Sequence, residues 1–234
     1  MVPAQVLLAA RRWRLGCAAL GVALGAREAT LEYALSTLLN QVLPGGMAGD
    51  AVRVWRQRGP ERPMATVLRA AAGERMVGLL VHGVAVLGGL LAWPTLHPGV
   101  PRPLGALPLV GVLLVGLGAA IATTARATLV PTVLVRQILA SVLFLGTLLV
   151  AFEACGRAIG MELGAAVFTV IPLTLLAMVA PISIGGWGLR EATAVALLPQ
   201  LGFTAEQALA LSTAYGLTSL AGALPGVVVP WVRR

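Results

Sequence analysis

The chain has 234 residues, of which 58% are hydrophobic and only 11% are charged, and its mean hydropathy is +0.91. A soluble domain carries about 25% charged residues, so this composition excludes both a soluble globule and a disordered chain. Aromatic residues at 5% are too few for the girdles of an outer-membrane barrel. The net charge of +8 comes entirely from Arg and is typical of cytoplasmic loops that contact anionic lipids, not of nucleic-acid binding. The composition therefore predicts an all-helical, polytopic membrane protein.

The first ten residues are mostly apolar and are followed at once by Arg11, Arg12, Trp13 and Arg14. A signal peptide carries its charges before the apolar run, so this start does not resemble one. We interpret it as the end of a membrane helix, with these four residues as an anchor at the membrane interface.

A polar side chain then recurs every fourth residue, at Glu28, Glu32, Ser36 and Asn40. This spacing places the four side chains on one face of a helix. Leu residues fill the other side of the same segment. The pattern predicts a bundle helix that faces a polar interior rather than lipid.

Residues 49–75 contain six Arg, which by the positive-inside rule predicts a cytoplasmic connection. Trp231, Arg233 and Arg234 place the C terminus on the same side. Apolar runs predict spans at residues 76–93, 104–122, 128–152, 163–179 and 208–231. We expect about six crossings, in addition to two broken segments, in a single membrane domain over residues 1–234.

Two Gly- and Pro-rich segments interrupt the apolar sequence, one in each half of the chain, and each ends in an acid and an Arg. The first comprises Asn40, Pro44, Gly45, Gly46, Gly49, Asp50 and Arg53; the second comprises Pro181, Ser183, Gly185, Gly186, Gly188, Arg190 and Glu191. Unwound backbone in a membrane survives only where it faces protein or a water-filled cavity. Paired breaks of this kind indicate a substrate site built from discontinuous, re-entrant helices and are found in inverted repeats. The alternative interpretation is a pair of ordinary loops with Gly as the turn residue.

The segments NQVLPGGMAGDAVR, ERMVGLL and PISIGGWGLREA resemble the flippase-like transmembrane family, which includes the N-terminal membrane half of bacterial lysylphosphatidylglycerol synthases. The resemblance runs from about Arg11 to the C terminus. The positions that match the family pattern are Asn40, Pro44, Gly45, Gly49, Asp50, Arg53, Glu74, Arg75, Pro181, Ser183, Gly185, Gly186, Gly188, Arg190 and Glu191. Members begin with a further helical hairpin that is largely missing here, and Gly78 stands near the place of a common acid.

The resemblance implies a lipid flippase or lipid transporter of the bacterial inner membrane, moving a phospholipid or isoprenoid-linked lipid between leaflets without a cofactor or enzymatic reaction. We expect the matching positions, together with Gly46, to bind substrate. In this hypothesis Arg53 and Arg190 neutralise phosphate, and Gly amides cradle it. The expected partners are anionic membrane lipids and either a second copy or a cell-envelope synthase. A secondary transporter of small solutes or ions, and a non-catalytic partner of such a synthase, stay open as alternatives.

Other polar residues carry narrower expectations. We expect His82 to make a hydrogen bond between helices, and the Ser183 hydroxyl to satisfy unwound backbone. Arg136 either faces the bundle interior, extends outward to the membrane surface, or marks the point where the lipid-embedded part begins. We expect Cys17 and Cys155 to be small core residues.

Overall fold

The computed structural model describes residues 1–125, 131–179 and 183–232, and every regular element within these ranges is a helix. The helices are α1 (Val2–Ala19), α2 (Ala26–Val42), α3 (Ala48–Gln57), α4 (Met64–Leu96), α5 (Ala106–Ala125), α6 (Pro131–Ala158), α7 (Ala166–Ala177), α8 (Leu189–Leu197), α9 (Ala205–Ala223) and α10 (Val229–Val232). Short 3₁₀ segments follow α8 and α9. The predicted all-helical fold class is confirmed.

Among the described residues, three segments are long and apolar enough to cross a membrane: Met64–Leu96, Pro131–Ala158 and Ala205–Trp231. At 1.5 Å per residue each is at least about 40 Å long, which exceeds the ~30 Å hydrocarbon core of a bilayer. Helix α7 is apolar but has only 12 residues, so the described part of the predicted 163–179 run is a short helix rather than a full span.

The expected connection over residues 49–75 is mostly helical, so this prediction is wrong in its secondary structure. Helix α3 lies within it, α4 begins at Met64, and only residues 58–63 lie between the two. Several Ala residues stand around Arg69 and Glu74, and Ala is the strongest helix former, so the helix extends well ahead of the apolar run.

The interpretation of Arg12 and Trp13 as interfacial anchors is also wrong. Both are buried, Arg12 at 5% exposure and Trp13 at 0%, because α1 continues to Ala19 and packs against α2, α4 and α6. Arg11 and Arg14 are exposed. Arg136 is exposed on α6, so the expectation that it faces the bundle interior is wrong.

The core has two main parts, one on each side of the molecule. One lies between α6, α7, α8 and α9 and includes Phe152, Ile171 and Leu211. The other lies between α1, α2, α3 and α4 around Trp13. Cys155 belongs to the first part and Cys17 to the second, as predicted.

Candidate functional site

The two broken segments lie against each other, although one is in each half of the chain. The Gly45 amide donates a hydrogen bond to the Ser183 carbonyl at 3.0 Å. Pro44 and Ile184 form an isolated antiparallel bridge. Pro181 lies outside the described residues. The segments therefore form one structural unit that joins the α2–α3 turn to the start of α8.

Glycine is required in this unit by backbone conformation. The left-handed region of φ is open to glycine and costly for other residues. Five of the predicted site residues have φ between +57° and +86°: Gly45, Gly46, Gly185, Gly186 and Gly188. A Cβ atom on Gly185 would also lie only 2.6 Å from the carbonyl oxygen of Gln41 on α2. At this position both the backbone and the neighbouring helix exclude a side chain.

Three Gly amides of the two motifs, those of Gly45, Gly49 and Gly188, already have protein acceptors. Gly49 N–H donates to Asn40 Oδ1 at 2.8 Å, and Gly188 N–H donates to Glu191 Oε2 at 2.6 Å. The expected cradle of free Gly amides is therefore not the arrangement observed at these positions. The Ser183 hydroxyl has no hydrogen-bond partner among the described residues, so the expectation that it satisfies unwound backbone is wrong; the Ser183 carbonyl accepts the bond from the Gly45 amide.

A network of alternating charges surrounds the first motif. Asp50 Oδ1 lies 3.1 Å from Arg53 Nη2, and Glu74 Oε2 lies 3.4 Å from Arg53 Nη1. Glu74 Oε1 lies 3.4 Å from Arg12 Nη2 at one end of the network. At the other end the Arg75 guanidinium contacts the second oxygen of Asp50. Three guanidiniums thus face two carboxylates, which leaves one positive charge in excess.

The centre of this network is rigidly held. The Arg53 guanidinium lies between the rings of Trp13 and Tyr33, 4.3 and 4.2 Å from their centroids. The Tyr33 hydroxyl donates to Glu74 Oε1 at 2.7 Å. The side chain of Arg53 is 2% exposed, whereas that of Arg75 is 33% exposed. Of these two predicted site residues, Arg75 is therefore the more accessible cation.

The second motif repeats this combination of Arg, acid and two rings. Arg190 Nη2 lies 2.6 Å from Glu191 Oε1, and Ser212 Oγ accepts from Arg190 Nε at 3.0 Å. The Arg190 guanidinium lies near the rings of Trp187 and Tyr215, at 4.8 and 5.6 Å from their centroids. The Arg190 side chain is fully buried, and its Nη1 has no hydrogen-bond partner among the described residues.

A cavity of about 300 Å³ lies beside the charge network, between α1, α2, α4, α6, α7 and α9. The predicted site residues that line it are Asn40, Gly46, Asp50, Arg53, Glu74, Arg75 and Gly185. The other predicted site residues within the described ranges do not line the cavity; they are Pro44, Gly45, Gly49, Ser183, Gly186, Gly188, Arg190 and Glu191. The structure therefore divides the predicted set into residues that face the cavity and residues that shape the turn behind it.

Apolar side chains also line the cavity. They include Phe144, Leu145 and Leu148 of α6, together with Leu175 and residues that follow α7, and the Phe144 ring centroid lies 5.7 Å from the Arg12 guanidinium carbon. His82 also lines the cavity, seven residues beyond Arg75 and so about 10 Å further along α4. The cavity thus extends from the charge network toward the apolar part of α4.

Two polar residues that line the cavity make hydrogen bonds between helices. His82 Nε2 lies 2.9 Å from the Pro172 carbonyl on α7, which confirms the expected hydrogen bond between helices. Gln41 Nε2 donates to Ser219 Oγ at 2.9 Å and so joins α2 to α9.

Sequence reasoning missed Arg12, Trp13 and Tyr33 as parts of the network. Arg12 Nη2 also donates to the Glu74 carbonyl at 2.7 Å, and a Cβ atom on Gly78 would come within 2.5 Å of that nitrogen. Gly78 was visible in the sequence as a departure from the family pattern. Its lack of a side chain provides the space in which Arg12 lies.

The polar face predicted for α2 makes a second set of ion pairs outside the cavity. Arg56 Nε donates to both oxygens of the buried Glu32 at 3.0 and 3.1 Å, and Arg62 Nη1 lies 3.0 Å from Glu28 Oε1. In the 58–63 connection, the hydrogen bond to Glu28 raises the pKa of Arg62 above its usual value. These contacts fix α3 and the connection to α2.

Comparison with known families agrees with this geometry. A family model described as the lysylphosphatidylglycerol synthase TM region matches residues 1–130 and 123–226. The chain belongs to the lysylphosphatidylglycerol synthase TM-region family. Both broken segments and all the residues of the charge network lie within the matched ranges. Searches of curated proteins and of solved structures found no match.

Membership in this TM-region family and the three long apolar segments identify a multi-pass membrane protein. The resemblance inferred from the motifs is thereby confirmed at the level of the family. Arg233 and Arg234, on which the orientation of the C terminus depends, lie outside the described residues.

Proposed function

We propose that this protein is a lipid flippase, which binds the head group of an anionic phospholipid in the charged cavity and moves it between leaflets. The observation that carries the proposal is that one cavity is lined by both charged and apolar side chains. The charged residues form the Arg12–Glu74–Arg53–Asp50–Arg75 network with its excess positive charge, and the apolar residues include Leu145, Leu148 and Leu175. An amphipathic molecule complements both kinds of lining, whereas a soluble ion complements only the charged residues.

Arg75 is the proposed phosphate ligand. Its guanidinium is one-third exposed and lines the cavity, and its Nη2 donates to the Gly46 carbonyl at 3.3 Å. A guanidinium has five N–H donors, so Arg75 can keep a bond to Asp50 and still bind a phosphate oxygen. The excess charge of the network favours an anionic head group, since a buried charge is costly unless it is paired.

The remaining residues act as support in this proposal. Arg53 and Arg190 were expected to bind phosphate directly, but each is held between two aromatic rings and an acid. We assign both to positioning of the helices around the cavity. Gly45 and Gly185 allow the broken segments to pair and thereby close one side of the cavity.

We place the protein in the bacterial inner membrane with the 58–63 connection and the C terminus in the cytoplasm, because Arg clusters there. The proposed partners are anionic phospholipids. The function is transport rather than an enzymatic reaction.

The proposal is tested by leaflet exchange of a fluorescent phosphatidylglycerol in proteoliposomes, with a membrane-impermeant reductant that bleaches only the outer leaflet. We expect wild-type protein to expose nearly all of the label and Arg75→Gln to lose most of this activity. Arg69→Gln is the matched control, because Arg69 is exposed on the same helix and does not line the cavity. Uptake of a soluble solute by vesicles that exchange no lipid would instead favour the solute-transporter alternative.

A further inference from the structure

A second cavity, of about 370 Å³, opens between α1, α6 and α9. Its floor is formed by buried residues, among them Val2, Ala151 and Cys155. Its mouth is formed by the exposed residues Ala154 and Thr218, with Ala158 beside them. The cavity is therefore open at the outer surface of the helix bundle.

Helices α6 and α9 belong to two of the three segments that are long and apolar enough to cross a membrane. A bilayer crossed by these two segments brings lipid to the outer surface of α6 and α9. On α6 the lining residues Ala151, Ala154, Cys155 and Ala158 follow the i, i+3, i+4, i+7 spacing of one helix face. Because these side chains are small, the face leaves a space against α9 that a hydrocarbon chain can fill.

The second cavity adjoins the charged cavity. Gln5, Tyr215 and Ser219 line both. The Tyr215 ring stacks on Phe152 with centroids 3.9 Å apart, and Ser219 is held by its hydrogen bond from Gln41. These shared residues form the boundary between an apolar space that opens to lipid and a charged space inside the bundle.

We infer that the second cavity is a lateral site for one hydrocarbon chain of the lipid whose phosphate binds at Arg75; this inference rests on the proposed function. The chain enters between α6 and α9 while the head group lies beyond Tyr215 in the charged cavity. Transfer of a chain from lipid to an apolar wall is nearly neutral in free energy, since lipid tails are as apolar as Leu. The site therefore acts by orienting the lipid, not by adding hydrophobic affinity.

The test is photo-crosslinking in vesicles that contain a phosphatidylglycerol with a diazirine in one acyl chain. Crosslinked peptides are mapped by mass spectrometry. We expect crosslinks at buried Ala151 and Cys155, in addition to those at exposed residues such as Val150 that any lipid touches. Crosslinks confined to exposed residues would overturn the inference.

Ala154→Phe fills the mouth of the cavity and should abolish the crosslinks at Cys155 and slow leaflet exchange. Val150→Phe is the matched control on the same helix, since Val150 is 50% exposed and does not line the cavity. If Ala154→Phe lowers expression, Thr218→Leu narrows the same mouth from α9. Unchanged crosslinks and exchange in these variants would overturn the chain site.

Different results would refute the hydrocarbon-chain site and the proposed function. If Arg75→Gln blocks exchange while the variants at the mouth exchange lipid normally, the flippase function stands and the chain site is wrong. If wild-type protein exchanges no lipid, the proposed function itself is wrong, whatever the crosslinks; if Arg75→Gln exchanges lipid normally, phosphate binding at Arg75 is wrong.

Discussion

Glu74→Gln is the substitution that probes the charge network most severely. The Glu74 side chain is 2% exposed and its carboxylate lies near both Arg12 and Arg53 while it accepts from Tyr33. Gln keeps the size of the side chain and an oxygen for the Tyr33 hydroxyl. What is lost is one of the two negative charges that compensate three guanidiniums.

Removing one partner of a buried ion pair costs about 3–5 kcal/mol, because the remaining charge is left uncompensated. For a chain of 150–250 residues, each kcal/mol corresponds to about 2–4 °C in Tm, so we expect Glu74→Gln to lower Tm by about 10 °C. The measurement is thermal unfolding of the purified protein in detergent. Adding Arg12→Gln to Glu74→Gln should recover part of the loss, since the excess positive charge is removed.

The control is Glu61→Gln, because Glu61 is an exposed acid in the nearby 58–63 connection. An exposed substitution of this kind changes stability by no more than about 0.5 kcal/mol. If Glu74→Gln unfolds at the same temperature as Glu61→Gln, the Glu74 carboxylate does not stabilise the fold by compensating the buried guanidiniums, and the reasoning is refuted.

Gly185→Ala should reduce both Tm and leaflet exchange. Gly188 also has a positive φ but open space around it, so Gly188→Ala should cost only backbone strain, about 1–3 kcal/mol; equal effects would refute the role of close packing. Arg56→Gln should lower stability by about 1.5 kcal/mol, because it removes two hydrogen bonds to the buried Glu32 and Arg56 is itself 24% exposed; an unchanged melting curve would contradict this. A Cys at Pro60 should react with an impermeant maleimide only from the cytoplasm, and periplasmic labelling would reverse the proposed orientation.

Much of the architecture was predictable because it depends on local patterns. Composition predicts helices, and the four-residue spacing of polar side chains predicts α2. The shared Pro–Gly–Gly pattern predicted that the two broken segments act together, and Gly45 and Ser183 do contact each other. Such features follow from helical periodicity and from the few conformations that glycine alone adopts.

The contacts of individual charges were not predictable from local sequence. Of the Arg residues in the RRWR run, Arg12 is buried in the network while Arg11 and Arg14 are exposed, and only the packing of α1 decides between them. Likewise Arg56 of α3 is held by Glu32 from another helix. These partners are distant in the sequence, and a single sequence does not record which helices meet.

The central claim is that Arg75 binds the phosphate of a lipid in the charged cavity. It is tested most directly by the rate of leaflet exchange of labelled phosphatidylglycerol in proteoliposomes that contain equal amounts of wild-type, Arg75→Gln or Arg69→Gln protein. The account predicts that exchange is lost only in Arg75→Gln, with Arg69→Gln at the wild-type rate. Equal, mild losses in both variants would show nonspecific attraction between Arg and the anionic membrane, and would contradict the claim.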